Sequence, residues 1–166
     1  MISGFDVKKI QDNLEKIKEE QKLYLKGIEN ILIRGVRNRF KDEEDPDGNK
    51  WKELSKITLD MRRKGKGSKQ FAQGTVKILQ DTARLKNSII GKSNDNIIDY
   101  DNLQVSVGTN VEYAKIHQQG GVSEFNGNIV KVPQRKFLGF SNIDNQNIER
   151  FTKSFINKIK KLLSIQ

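Results

Sequence analysis

The residue types that do chemistry are few in this chain, and they are scattered. His117 is the only histidine, and cysteine is absent. Disulfides and thiolate metal sites are therefore excluded, and one histidine lacks the companions of a typical zinc site. Gly91-Lys92-Ser93 has the ending of a phosphate-binding loop. That motif needs an earlier glycine where Lys86 stands, and a helix starting where Ser-Asn-Asp-Asn follows. Gly65 and Gly67 do not make a dinucleotide fingerprint. No Gly-x-Ser-x-Gly elbow occurs, and no serine has a base partner in sequence. The acids cluster in residues 42–47 or on helix faces, where they read as solvation rather than as a glycosidase-type pair. His117, just before Gly120-Gly121, reads as a hydrogen-bonded structural residue. The expectation is a chain with no catalytic site, cofactor or metal.

The elements that would carry these residues belong to a small chain. Its 166 residues suit one domain, or one domain with a helical extension. Only 34% are hydrophobic and 31% are charged, which fits a thin core with long solvated helices or burial completed in an assembly. The N-terminal Met-Ile-Ser-Gly-Phe-Asp stretch has no apolar core of signal-peptide length, and no apolar run is long enough to span a bilayer. A soluble protein made in the cytoplasm is expected. Lysine plus arginine outnumber acids 31 to 21, a net +10. Nucleic acid, an anionic membrane or an acidic protein would each suit that charge, as would simple solvation of widely spread lysines.

From Val7 to Phe40, apolar residues recur at three- and four-residue steps through Ile10, Leu14, Ile17, Tyr24, Ile28 and Ile31. This spacing predicts one long amphipathic helix, with Asp6 as N-cap. Leu25, Leu32 and Val36 widen the stripe, so the second half is expected to pack while the first projects. Pro46 and Asp47-Gly48 predict a turn. A short helix is expected from about Ser55 to Arg63. Residues 62–70, with Arg62, Arg63, Lys64, Lys66 and Lys69, read as an exposed flexible loop. Asp81 or Thr82 is expected to cap a helix carrying Leu85 and ending near Ile89. Ile97-Ile98 predicts a short strand, and Leu103, Val105 and Val107 alternate as a second. Asn126-Gly127 predicts a hairpin, and residues 137–140 a last short strand. Asn142 or Asp144 is expected to cap a final helix with Ile148, Phe151, Phe155, Ile159 and Leu162 on one face. Its Lys153, Lys158, Lys160 and Lys161 suit the C-terminal half. Helices, then strands, then a helix give an α+β fold with a small antiparallel sheet. The expected division is a long helix over residues 1–40 and an α+β domain over 41–166.

Four segments in order resemble the phage tail-completion, or virion morphogenesis, family: residues 45–59, 79–89, 105–121 and 132–141. Trp51 and Leu54 match its first segment. Thr82, Leu85, Ser88 and Ile89 match the second. Gly108, Thr109, Tyr113, Ala114, His117, Gln118 and Gly120 match the third, and Arg135, Phe137, Leu138 and Gly139 the fourth. Ala83 replaces the family's usual glycine and Lys136 its usual proline. The alanine suggests ordinary helical φ at residue 83. Tyr113, Ile116 and His117 are expected near one helical face, ended by Gly120 and Gly121 at positive φ. Trp51, Tyr113 and Phe137 are expected to be mostly buried, and Arg135 to anchor a loop or an interface.

The resemblance implies a structural virion protein that completes the tail and helps join it to the head. A head-side connector or tail terminator is the near alternative, and a nucleic-acid-binding protein using the basic loop is the distant one. Implied partners are tail and neck proteins: the tail tube or terminator and the head connector. The resemblance further implies a homo-oligomeric ring, a hexamer, in the virion, with no membrane association. The basic residues 62–69 are candidate contacts to DNA phosphate or acidic protein.

Overall fold

The computed structural model describes residues 7–64, 76–91, 93–125 and 127–163. The elements are α1 (Val7–Asp42), α2 (Lys56–Lys64), α3 (Arg84–Ile90), β1 (Asn96–Tyr100), β2 (Val105–Thr109), α4 (Ala114–Gln119), β3 (Gly121–Phe125), β4 (Asn128–Val132) and α5 (Asn142–Leu163). The fold is α+β. Asp6 lies outside the described residues.

The buried positions of α1 all lie from Leu25 onward, whereas Val7, Ile10 and Leu14 are exposed. α1 and α5 pack antiparallel. Tyr24 stacks on Phe151 and Phe155 at ring-centroid distances of 5.7 and 4.5 Å, and its hydroxyl meets Thr152 Oγ1 at 2.9 Å. Nearer the start of α1, Glu20 pairs with Lys158 at 2.6 Å. Gly27 permits this approach, because the Phe151 ring edge occupies the space a Cβ would take. At the other end of the pair, Arg39 and Asp144 form a buried ion pair.

The final helix is capped by Ser141, not by Asn142 or Asp144. Asp144 N donates to Ser141 Oγ (3.1 Å), and Ser141 N donates to Asp144 Oδ2 (3.0 Å). This is a reciprocal capping box in which an aspartate serves at the third helical position.

Val36, Phe40, Trp51, Ile78, Leu79, Leu85, Ile89, Val111, Ala114 and Phe137 form the core. Phe40 is its centre. It meets Trp51 edge-on at 5.3 Å and Phe137 at 5.8 Å. The chain leaves α1 through Glu43 at φ 56. Asp45 then closes a turn, accepting from the amides of Asp47 and Asn49, each at 2.9 Å.

The strands make two separate two-stranded antiparallel sheets, β1–β2 and β3–β4, rather than one. β1–β2 packs on α1 and α3, with Ile98 opposite Val107. Leu103 is not part of it; it lies before β2 and is 86% exposed. β3–β4 is the hairpin signalled by Asn126-Gly127, with Phe125 opposite Asn128 and Gly127 at φ 76. It carries exposed Val122 and Ile129. Residues 137–140 form no strand. The amides of Phe137 and Leu138 and the Leu138 carbonyl are all bonded to the Gln118 side chain, so this backbone is engaged without a ladder.

α3 also departs from expectation at its start. Neither Asp81 nor Thr82 is the N-cap residue. Ala83 is, at φ 57 in the left-handed region, although Thr82 Oγ1 accepts from Arg84 N at 3.3 Å. The reading of ordinary helical φ at residue 83 is therefore wrong. Tertiary packing of Leu79 and Leu85 on either side imposes a reversal that propensity alone opposes.

Candidate functional site

The four segments singled out in sequence meet in space. Arg135 ties the fourth to the first, with Nε donating to Lys52 O (2.8 Å) and Nη2 to Glu53 O (3.0 Å). Trp51 Nε1 returns the link by donating to Lys136 O (2.9 Å). Gln118 ties the third segment to the fourth. Its Oε1 accepts from Phe137 N and Leu138 N, both at 3.0 Å, and its Nε2 donates to Leu138 O at 2.9 Å. Arg135 N donates to His117 O at 2.7 Å. The second segment joins the third where Ser88 Oγ meets Thr109 Oγ1 at 2.6 Å, and Thr109 Oγ1 accepts from Val111 N at 3.1 Å.

Two glycines are explained by these contacts. Gly120 ends α4 at φ 72, and a Cβ there would sit 3.0 Å from Gln134 N. Gly139 abuts Pro46, with a would-be Cβ at 2.7 Å from its Cγ. Gly108, opposite Ile97 in β1, makes only ordinary contact.

Trp51 and Phe137 are buried, at 5% and 1% exposure. Tyr113 is only half-buried, because one edge faces an open cleft. Leu54 and Leu138 are partly buried against the core, and Leu85 lies within it.

The cleft has a volume of about 440 Å³ and draws on all four segments: Leu54 from the first, Thr82 and Leu85 from the second, Tyr113 and His117 from the third, and Arg135 from the fourth. Arg62 also lines it. Arg62 is thus no loop residue. α2 continues through Lys64, and Arg62 Nη1 donates to Lys77 O (3.0 Å) while its Nε faces Asp81 at 3.7 Å. Arg63 is exposed on the same helix. Lys66 and Lys69 lie outside the described residues, as does most of the expected flexible loop.

The electrostatics of the cleft are unbalanced. Arg84 is committed to Asp95 (2.9 Å) and Glu112 (3.0 Å). Arg135 is 5% exposed and has no acidic partner among the described residues. Burial, and then the proximity of Arg135 and Arg62, holds the His117 imidazole below its ordinary range. The ring is consequently neutral at pH 7. Its Nδ1 is buried without a hydrogen-bond partner among the described residues.

Sequence reasoning marked Arg135 and His117 but not their isolation from counter-charge. It missed Arg39–Asp144 and Ser141 entirely, although Ser141 three residues before Asp144 is a legible capping signal.

What this arrangement does chemically is hold loops. The side-chain bonds that tie Trp51, Gln118 and Arg135 across segments all end on backbone groups. Among the described residues, no three His, Asp or Glu side chains are grouped to hold a metal ion, and no helix is long and apolar enough to cross a membrane.

No curated protein and no solved structure matches the chain. The sequence pattern of the phage virion morphogenesis family, however, matches residues 5–156, and a chain so nearly covered, with its four recurring segments folded into one linked scaffold, belongs to that family.

Proposed function

We propose that this protein, a phage assembly protein by family, completes the tail and helps join it to the head. The single observation that carries the reading is the convergence of the four segments. Their polar side chains lock loop geometry through backbone groups instead of assembling nucleophile, base and oxyanion donors. A rigid scaffold of this kind works through the surfaces it presents.

Two such surfaces stand out. The β3–β4 hairpin exposes Val122 and Ile129, and the first half of α1 exposes Val7, Ile10 and Leu14. Exposed apolar side chains on extended elements suit contacts with neighbouring subunits. The proposed neighbours are the tail tube or terminator and the head connector. The proposed arrangement is a ring of copies, a hexamer, closed by heterologous contacts. In this reading the first half of α1 projects as an arm, while its second half, up to residue 40, packs on the body formed by residues 41–166. The protein has no catalytic activity of its own, and it resides in the virion tail or neck after assembly in the host cytoplasm.

Deleting the gene in the parent phage should leave filled heads beside separate, unstable or over-long tails. Normal infectious particles from the deletion would refute the role. Heads that lose their DNA, with tails of normal length and stability, would favour a head-side connector. Copy number in purified virions tests the ring, since a number incompatible with rotational symmetry would refute it.

A further inference from the structure

The cleft between α2, α3 and α4 contains two groups that the described fold leaves incomplete. The first is Arg135. Its guanidinium is buried at 5% exposure, and two of its nitrogens are spent on the carbonyls of Lys52 and Glu53. No bond of Nη1 is found among the described residues, and since it is not one of the fully buried unpaired atoms it opens onto the cleft. Native proteins pair buried cations, because desolvation without a counter-charge is costly. The second is His117 Nδ1, buried and without a partner among the described residues. Both residues line the same cleft. Arg62 adds a further charge at its rim, bonded to Lys77 O and facing its counter-charge, Asp81, at 3.7 Å.

We propose that this cleft is a binding site for an acidic side chain, a glutamate or aspartate carboxylate presented by a segment of a partner protein. The carboxylate accepts from Arg135 and Arg62, and His117 lies beside it. The shape of the site favours protein over DNA. Phosphates of a duplex are met by exposed lysines and arginines, whereas Arg135 is almost wholly buried. Beside the polar Arg62, Asp81, Thr82 and Arg84, the lining has apolar members in Leu54, Leu79, Leu85 and Tyr113. They suit the methylenes of a glutamate and its apolar neighbours better than a sugar-phosphate backbone. The proposal holds wherever in the virion the chain sits, and the gene deletion above tests that role separately.

Because His117 is the chain's only histidine, its ring protons give a single NMR reporter inside the cleft. Capped hexaglutamate peptide, inorganic phosphate and a short mixed-sequence DNA duplex are titrated in turn into the full chain. Hexaglutamate should move the His117 signals and raise the ring's titration midpoint, since an added anion stabilises the imidazolium. R62Q should weaken that binding about tenfold, the scale of one charge-assisted hydrogen bond. K160Q, on the exposed face of α5, should leave it unchanged. The proposal is overturned if none of the three probes moves His117, or if the duplex or phosphate moves it while the peptide does not. It is also overturned if K160Q weakens the peptide as much as R62Q, which would mean diffuse attraction to a basic protein. Circular dichroism of R62Q confirms that it is folded, and the wild-type titrations decide the matter if it is not.

Discussion

Arg39, in the last turn of α1, donates to the carboxylate of Asp144, in the first turn of α5, and both side chains are buried. The same Arg39 Nη2 donates to Gly139 O at 2.7 Å, so one guanidinium joins two helices and the fourth motif segment. Removing one member of a buried pair strands the other charge, which typically costs about 3–5 kcal/mol. Asp144→Ala should therefore lower stability by that amount in urea unfolding. The double variant Arg39→Met, Asp144→Leu should lose far less. An equal loss in both would show that the ion pair's charges are not what matters.

Gly35 gives an independent check on the same contact. A Cβ at this position would lie 2.6 Å from Asp144 Oδ1. Glycine to alanine inside a helix ordinarily stabilises by about 1 kcal/mol. Here the sign should reverse, with Gly35→Ala destabilising by about 1–3 kcal/mol through overpacking. The carboxylate cannot swing away without leaving Arg39 and Ser141. A stabilised variant in thermal melts would contradict the packing described.

At Ala83 the reverse substitution should help. An L-residue in the left-handed region costs roughly 1–2 kcal/mol, and Ala83 sits at φ 57. Ala83→Gly relieves that strain and also loosens the unfolded chain, which works against it. A net gain of about 0.5–1 kcal/mol is expected, read as a higher denaturant midpoint. A loss would mean that the Ala83 methyl packs usefully.

Gln118 is the tie between α4 and the loop at residues 137–138. Gln118→Ala leaves two amides and a carbonyl without their partner. A loss of about 1–3 kcal/mol is expected, with faster hydrogen exchange at Phe137 and Leu138. Gln118→Glu should also destabilise, because a carboxylate accepts from the amides but cannot donate to Leu138 O. Unchanged exchange at those two amides would refute the tie.

His117 should make stability depend on pH. Burial, with Arg135 and Arg62 nearby, lowers its folded pKa below the ordinary 6.5. Among the described residues, Asp81 is the one carboxylate that lines the cleft. The unfolded state then binds the proton more readily than the folded state. Stability is full above pH 6.5 and falls as pH drops from there toward the folded pKa. His117→Gln should flatten this part of the profile, in melts run between pH 7.5 and 5.5. An equally steep decline in the variant would refute the assignment.

The sequence alone determined those features that depend on near neighbours in the chain. The three- and four-residue spacing from Val7 to Phe40 dictates α1, the stripe through Phe151 and Phe155 dictates α5, and Gly120-Gly121 ends α4 at positive φ as expected. The order of four short segments was enough to mark the family, because loop anchors recur where backbone geometry is demanding. Long-range packing decided the rest. Phe137 and Leu138 spend their backbone groups on the Gln118 side chain of α4, a long-range contact that no local pattern announces. Ala83 turns left-handed because Leu79 and Leu85 must both enter the core, a demand that no dipeptide propensity records. In sequence Arg62 looks like a cation of an exposed loop, and Arg135 like an anchor of a loop or an interface. Their depth, and the lack of an acidic partner for Arg135 among the described residues, exist only once distant segments close around them, since burial and Coulombic balance are set by atoms far apart along the chain.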